Sequence, residues 1–282
     1  MKISLLTDAP KHNLALMKIS SHHKAQGHEV FLGNPLEADK IYASWLFDYS
    51  PKYAAHEVGG PGISYRRLPP EIDQCWPDYR LFGLDYSLGY TWEYCPRKCP
   101  FCVVPKFATS KVHYSIWEFH DSLFNKICLL NNNTFSDSQW RVTFEEIWGA
   151  NLTVIDENGF DLRLLDEEKA EALKRTRFEK QIHFAWDCME DERVILRGLE
   201  LAEDYKLDAM IYVLTGFDTT LEEDLYRCQK ITDKGFDPYV MPYNARGKQD
   251  SRSRRLRKFK RFIDSRCYRP NVFEAWEKWT DK

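Results

Sequence analysis

Cys95, Cys99 and Cys102 lie close together in the run Tyr94-Cys-Pro-Arg-Lys-Cys-Pro-Phe-Cys-Val103, spaced Cys-x3-Cys-x2-Cys. Thiolates are soft ligands, suited to zinc and to iron–sulfur clusters. Three of them on one tight loop can hold three irons of a four-iron, four-sulfur cluster, leaving the fourth iron open to a small molecule. A cluster used only for electron transfer ordinarily has four cysteine ligands. A structural zinc site likewise closes its fourth position. The spacing therefore points to a centre that performs chemistry. A zinc loop completed by a distant Cys or His is the alternative that spacing alone leaves open.

The run resembles the signature of the radical S-adenosylmethionine (radical SAM) superfamily. The match includes Phe101, the aromatic residue before the third cysteine, whose backbone lies near the adenine in that family. The resemblance implies that the three cysteines ligate a [4Fe-4S] cluster and that the amino and carboxylate groups of SAM bind its open iron. It implies reductive cleavage of SAM to methionine and a 5′-deoxyadenosyl radical, which abstracts hydrogen from a substrate. A reducing partner such as flavodoxin or ferredoxin follows from the same resemblance.

Such a loop needs a scaffold, and the pattern of the chain predicts an α/β one. Lys2–Leu6, Glu29–Leu32 and Lys40–Ser44 read as strands. Residues 14–26 read as a helix stopped by Gly27. This opening resembles a reduced cobalamin-binding-like (Rossmann-like) unit, a resemblance also carried by Gly27-His-Glu-Val30 and Gly59-Gly-Pro-Gly62. The Asp-x-His-x-x-Gly phrase that supplies the lower cobalt ligand is absent, because no Asp precedes His22 or His23 at that spacing. No cobalamin is expected. Prolines and glycines between residues 60 and 84 mark a linker, which places the domain boundary near residue 80.

Beyond it, strands near 86–92, 126–130, 152–155, 183–186, 209–214 and 238–241 alternate with helices near 115–124, 138–148, 166–173, 190–204, 219–235 and 253–265. Strands alternating with helices imply parallel βαβ units. Six such units make the partial (β/α)6 barrel familiar from radical SAM enzymes. Barrel chemistry collects at the C-terminal strand ends, and the cysteine loop follows the first strand.

The other strand ends supply candidate contacts. Asn131-Asn-Asn133 follows the second strand, where relatives carry acidic acceptors for the SAM amino group. Asn132 and Asn133 can accept from an ammonium through their carbonyls, or simply form a turn. Asn158-Gly-Phe-Asp-Leu-Arg163 resembles the Asn-Gln-Gly-Leu-Asp-x-Arg phrase of uncharacterised bacterial and phage radical SAM proteins. Arg163 can pair with a carboxylate of SAM or substrate, and Asp161 can orient it or bind ribose. Alternatively, the two form a local loop pair. Asp187 ends the fourth strand, placed for substrate or ribose or for helix capping. Gly216 permits close approach of an adenine, with Asp218 or Thr219 capping the next helix. Met241 can pack on adenine, with Tyr243 or Asn244 toward substrate. No residue is assigned a catalytic role.

The 282 residues carry a net charge of −3, yet residues 246–269 hold eleven Lys and Arg against Asp250 and Asp264. Leu256, Phe259, Phe262 and Ile263 recur there at helical spacing, so one face packs and the other is positive. Nucleic acid, a phosphorylated substrate or an acidic electron donor are candidate partners. No run of 18 apolar residues occurs, so no membrane partner is expected. The short N-terminal apolar run is no signal peptide, and a cytoplasmic location is expected. Cys128, Cys188 and Cys228 read as small core hydrophobes. Two other functions fit the residues: a cobalamin-dependent radical SAM methyltransferase, and a non-enzymatic metal-binding protein that docks nucleic acid through its basic tail.

Overall fold

The computed structural model describes residues 1–107, 109–243, 254–269 and 271–280. It is an α/β structure of parallel sheets, organised as two compact units. The first comprises residues 1–132 and 139–155, and the second residues 133–138 and 156–282. The boundary expected near residue 80 lies inside the first unit.

In the first unit, β1 (Lys2–Thr7), β2 (Glu29–Leu32), β3 (Lys40–Ser44) and β4 (Glu57–Gly59) form a parallel sheet in the order β2-β1-β3-β4. Ile3 and Leu5 of β1 are buried under α1 (Leu14–Ala25), which contributes Leu16, Met17 and Ile19. Helix α1 starts at Asn13, whose side chain accepts from the Leu16 N–H, and stops at Gly27 with φ +78°. The linker holds the short helix α2 (Pro70–Asp73).

A second parallel ladder runs β5 (Ser87–Gly89), β6 (Lys126–Leu129), β7 (Thr153–Ile155), with α3 (Trp140–Gly149) between the last two. Strand β5 is shorter than expected. The N–H groups of Thr91 and Trp92 leave the ladder and donate instead to the side-chain oxygen of Asn131. The helix expected over 115–124 reduces to one 3-10 turn, Ile116–Glu118. Ile116 and Phe119 are buried, and the Phe119 ring packs so closely on Gly89 that a Cβ there would collide with it. Asp121 then takes the Leu123 N–H and turns the chain. Their i, i+3 spacing suits a 3-10 turn as well as a helix, and packing on β5 selects the turn.

In the second unit, α4 (Glu167–Arg175) begins at Asp166, whose side chain accepts from the Lys169 N–H, as expected. After the two-residue strand β8 (Arg177–Phe178), three parallel strands pair in the order β11-β10-β9. These are β9 (Ile182–Trp186), β10 (Ala209–Thr215) and β11 (Asp237–Pro242), linked by α5 (Glu192–Asp204) and α6 (Leu221–Asp233). Burial alternates along β10: Ala209, Ile211, Val213 and Thr215 are buried, while Met210, Tyr212 and Leu214 are half-exposed. The cap of α6 is Thr220 in a capping box with Glu223, one residue beyond Thr219 and two beyond Asp218, the expected caps. Thr219 bonds Asp224 instead.

Helix α7 (Arg254–Asp264) closes the free edge of β11. Asp264 accepts from the Val240 N–H at 2.9 Å, and Lys260 Nζ donates to the Val240 carbonyl at 2.9 Å. A paired lysine and aspartate thus take the place of a neighbouring strand, which protects an otherwise open edge. Helix α8 (Phe273–Thr280), which the sequence pattern did not announce, buries Phe273 against Phe259 and Phe262. No barrel closure is present among the described residues, and none of their helices is long and apolar enough to cross a membrane.

Candidate functional site

The cysteine loop leaves the C-terminal end of β5, the first strand of its ladder. Asn131, just beyond β6, anchors its start. The buried side chain accepts from the Thr91 and Trp92 N–H groups at 2.9 and 3.0 Å and donates to Thr91 Oγ1 at 2.8 Å. Asn132, half-buried, donates to the Glu93 carbonyl. Glu93 pairs both carboxylate oxygens with Arg67, at 2.7 and 3.0 Å, and accepts from the Ser110 N–H. Both ends of the loop segment are therefore pinned by side chains.

Cys95, Cys99 and Cys102 are all half-buried. Pro96 and Pro100 restrict the backbone between them, and the Cys102 N–H donates to the Cys99 carbonyl at 3.0 Å, turning the chain tightly. Phe101 sits within that turn, half-buried. The donor set fits an iron–sulfur cluster in type and number: three thiols on one anchored loop. Among the described residues no three His, Cys, Asp or Glu side chains are drawn together as a metal site, so the fit is one of donor identity.

The second unit gathers the charged candidates. Asp161 caps a 3-10 turn, Leu162–Leu164, by accepting from the Arg163 N–H. Arg163 is gripped by two carboxylates: Nε and Nη2 bond Asp161 at 2.7 and 3.1 Å, and Nη1 bonds Asp191 at 2.6 Å. Burial opposes its charge, but the bonds to Asp161 and Asp191 outweigh burial and hold its pKa above the usual arginine value. The local pair therefore forms, and three of the five guanidinium N–H groups are engaged in it. Asn133 is buried and donates to Asp161 Oδ2 at 3.0 Å. It supports the charge pair through its amide nitrogen, whereas the sequence suggested its carbonyl as the acting group.

Asp187 directly follows β9 and is half-buried. Burial pushes its carboxyl up to about 6. Arg163 and Arg227 pull it down, while Asp161 and Asp191 push it up. Such a group titrates near neutral pH, the range suited to proton transfer. Gly216 directly follows β10 with φ +72°, and a Cβ there would lie 2.9 Å from the Leu256 side chain. The close approach that this glycine permits is made by α7 itself. Met241, near the end of β11, is 44 % exposed. Tyr243 packs edge-on against Phe217 with ring centroids 4.7 Å apart. Asn244 lies outside the described residues.

Sequence reasoning missed Arg227. It is wholly buried on the inner face of α6 and donates to the carbonyls of Trp186, Asp187 and Leu214, to Thr219 Oγ1 and to Asp224. It thus ties the C-terminal ends of β9 and β10 together. The available signal was a charged pair at i, i+3, Asp224 and Arg227, on the same helix face as Cys228 and Ile231. Asp156 was also missed. It accepts from the His183 and Gly159 N–H groups at 2.7 and 2.9 Å, and burial raises its pKa.

No protein-family model matches the chain, and no curated protein sequence matches it.

Proposed function

We propose that the chain is a radical SAM-type enzyme in which Cys95, Cys99 and Cys102 hold a four-iron cluster and SAM occupies its open position. The observation that carries this reading is the Cys-x3-Cys-x2-Cys loop at the C-terminal end of a parallel strand, pinned by Asn131 and by the Arg67–Glu93 pair. That is where α/β folds collect ligands. When bound, the cluster supplies the electron that cleaves SAM and releases a 5′-deoxyadenosyl radical. The chain's own residues position and protect. Asn131 fixes where the loop begins, and Phe101 brings its backbone to the third thiol. In the second unit the Asp161–Arg163–Asp191 cluster offers a cation with N–H groups beyond its internal bonds for a carboxylate. Asp187, with its raised pKa, can hold or release a proton near neutral pH. The six parallel strands β5, β6, β7, β9, β10 and β11 are the set a partial (β/α)6 barrel would use.

The test is anaerobic reconstitution with iron and sulfide, followed by chemical reduction in the presence of SAM. About four irons per chain and formation of 5′-deoxyadenosine are expected from the native protein, and neither from Cys99→Ala. A protein that takes up zinc but neither iron–sulfur nor SAM overturns the reading.

A further inference from the structure

The two edges of the sheet β11-β10-β9 are closed alike, with one difference. At β11, Asp264 accepts from the Val240 N–H and Lys260 donates to the Val240 carbonyl. At β9 the segment 156–160 takes both roles. Asp156 Oδ2 accepts from the His183 N–H at 2.7 Å, and the Phe160 N–H donates to the His183 carbonyl at 2.8 Å. Asp156 Oδ1 also accepts from the Gly159 N–H at 2.9 Å, which curls the segment into a turn. Gly159 sits at φ +75°, and a Cβ there would lie 2.9 Å from the His183 carbonyl oxygen. A glycine is what lets the segment approach β9 so closely.

The difference lies in charge. Asp264 is bonded directly by Lys260. Asp156, its side chain 7 % exposed, has the His183 ring as its ion-pair neighbour among the described residues, with Nδ1 standing 3.9 Å from Oδ2. That is too far for a hydrogen bond, and Nδ1 is itself buried without a hydrogen-bond partner among the described residues. A buried carboxylate short of a cation thus faces a buried ring nitrogen short of a partner. A proton between them relieves both, by neutralising the carboxylate or by turning the ring into its counter-ion. The other groups nearby do not supply that charge. Glu157, next along the segment, adds negative charge. Tyr212 on β10 stacks on the His183 ring at 4.9 Å, and burial pushes its phenol up to about 12, so it stays neutral while the pair titrates. Tyr239 on β11 packs edge-on against Tyr212. Glu179, Lys180 and Asp208 line a cleft with His183, and all three are exposed to water.

We propose that residues 156–160 form a proton-controlled latch on the edge of β9, closed while a proton sits between Asp156 and His183 and loosened when that proton leaves for solvent. The sign follows from desolvation. Burial holds the Asp156 carboxyl above the usual carboxylate range, outweighing the N–H bonds and the His183 ring that pull it down. Opening returns the carboxyl to water, so the closed segment keeps its proton to a higher pH than the open one. The latch is therefore tightest in acid and weakens as pH rises through the closed-state value. Phe160, which the latch fixes, directly precedes Asp161, so the latch sets where the Asp161–Arg163 pair begins. Only the use of that pair toward SAM or substrate rests on the reading above, because the latch itself needs neither iron nor SAM.

The experiment is amide hydrogen exchange of the full chain, without reconstitution, read residue by residue by NMR from about pH 4 to about pH 7, each rate divided by the intrinsic rate of its amide. Protection of the Gly159, Phe160 and His183 amides should fall by about tenfold or more across that range, at about tenfold per pH unit separating the closed and open carboxyl. The Val240 amide, on the opposite edge, should keep its protection. Asp156→Asn cannot titrate, so it should hold the three amides less firmly and remove their pH dependence. Gly159→Ala should lower their protection at every pH. Circular dichroism checks the folding of each variant, and the native profile decides the case where a variant does not fold. Protection that is constant with pH, that rises with pH, or that falls equally at Val240 overturns the proposal. So does an unchanged pH dependence in Asp156→Asn or undiminished protection in Gly159→Ala. Iron uptake and SAM cleavage are measured separately, so failure of one test leaves the other standing.

Discussion

The cysteine loop and the Arg227 knot organise strand ends by opposite means. The loop is irregular backbone between a three-residue strand and a 3-10 turn, held by prolines, a few backbone bonds and side-chain anchors at its ends. The knot is a single buried cation that satisfies three carbonyls, a hydroxyl and a carboxylate. A buried charge is stable only when it is paired; here both Nη groups are bonded while the buried Nε has no hydrogen bond among the described residues, so the knot depends on every partner it has. Half-buried thiols carry no such demand. The proposed chemistry would sit on the permissive element, with rigidity delegated to neighbours.

This contrast can be broken most severely at the thiols. Cys99→Ala should remove iron uptake and SAM cleavage altogether while shifting the unfolding midpoint little, since a half-buried thiol contributes about 1 kcal/mol or less. Urea titration beside iron analysis checks both halves. Arg227→Met should do the reverse. It leaves Asp224 buried without its cation and should cost about 3–5 kcal/mol, with the loop's iron affinity retained in whatever fraction folds. An equal loss of iron from both variants would show that the two regions are not separable.

Asn131→Ala is a gentler probe. It strands the Thr91 and Trp92 N–H groups, each an unsatisfied buried donor costing about 1–3 kcal/mol. Hydrogen exchange should accelerate at those two amides before anything changes in β9 or β10. Uniform acceleration across both units would contradict the anchoring role.

The smallest effects are in pH dependence, and they carry opposite signs. His23 is buried, bonded to His28 and Tyr42, and burial with the nearby His22 and His28 lowers its pKa to about 4. The unfolded chain binds that proton first as pH falls, so its stabilising contribution is lost between about 6.5 and about 4. Asp187 is raised to about 6. The native state binds its proton first, so stability falls as pH rises from about 4 to about 6. At about 1.4 kcal/mol per pH unit, each effect amounts to about 3 kcal/mol at most and is spread over two or more pH units. His23→Gln should flatten the first slope and Asp187→Asn the second, read from urea midpoints across pH 4–7.

Much of this was legible in advance. The strands β1, β2, β3, β6, β9, β10 and β11 were visible as short apolar runs, and α4 from its Asp cap, because burial and capping are local consequences of residue type. The segment 115–124 was misread because Ile116 and Phe119 satisfy helix and 3-10 spacing equally, and only the bare Cα of Gly89 decides between them. Gly216 was recognised as a point of close approach, but the partner is Leu256, forty residues away. No local pattern announces that. Asn133 and Arg163 were recognised as polar groups at strand ends, yet their mutual grip through Asp161 depends on folded proximity.

The sequence by itself determined the donors: three thiols at a spacing that suits three irons, a parallel α/β pattern behind them, and a positive helix face. These follow from residue chemistry and from periodicities of 2 and 3.6, which need no knowledge of distant neighbours. Only the tertiary structure decided how the donors are held. It brought Asn131 to the loop's first amides and Arg227 under two strand ends. It also set α7 along the edge of β11, which points its positive face outward. Those contacts join residues far apart in the chain, and their energies come from burial and charge pairing that exist only once the strands are side by side.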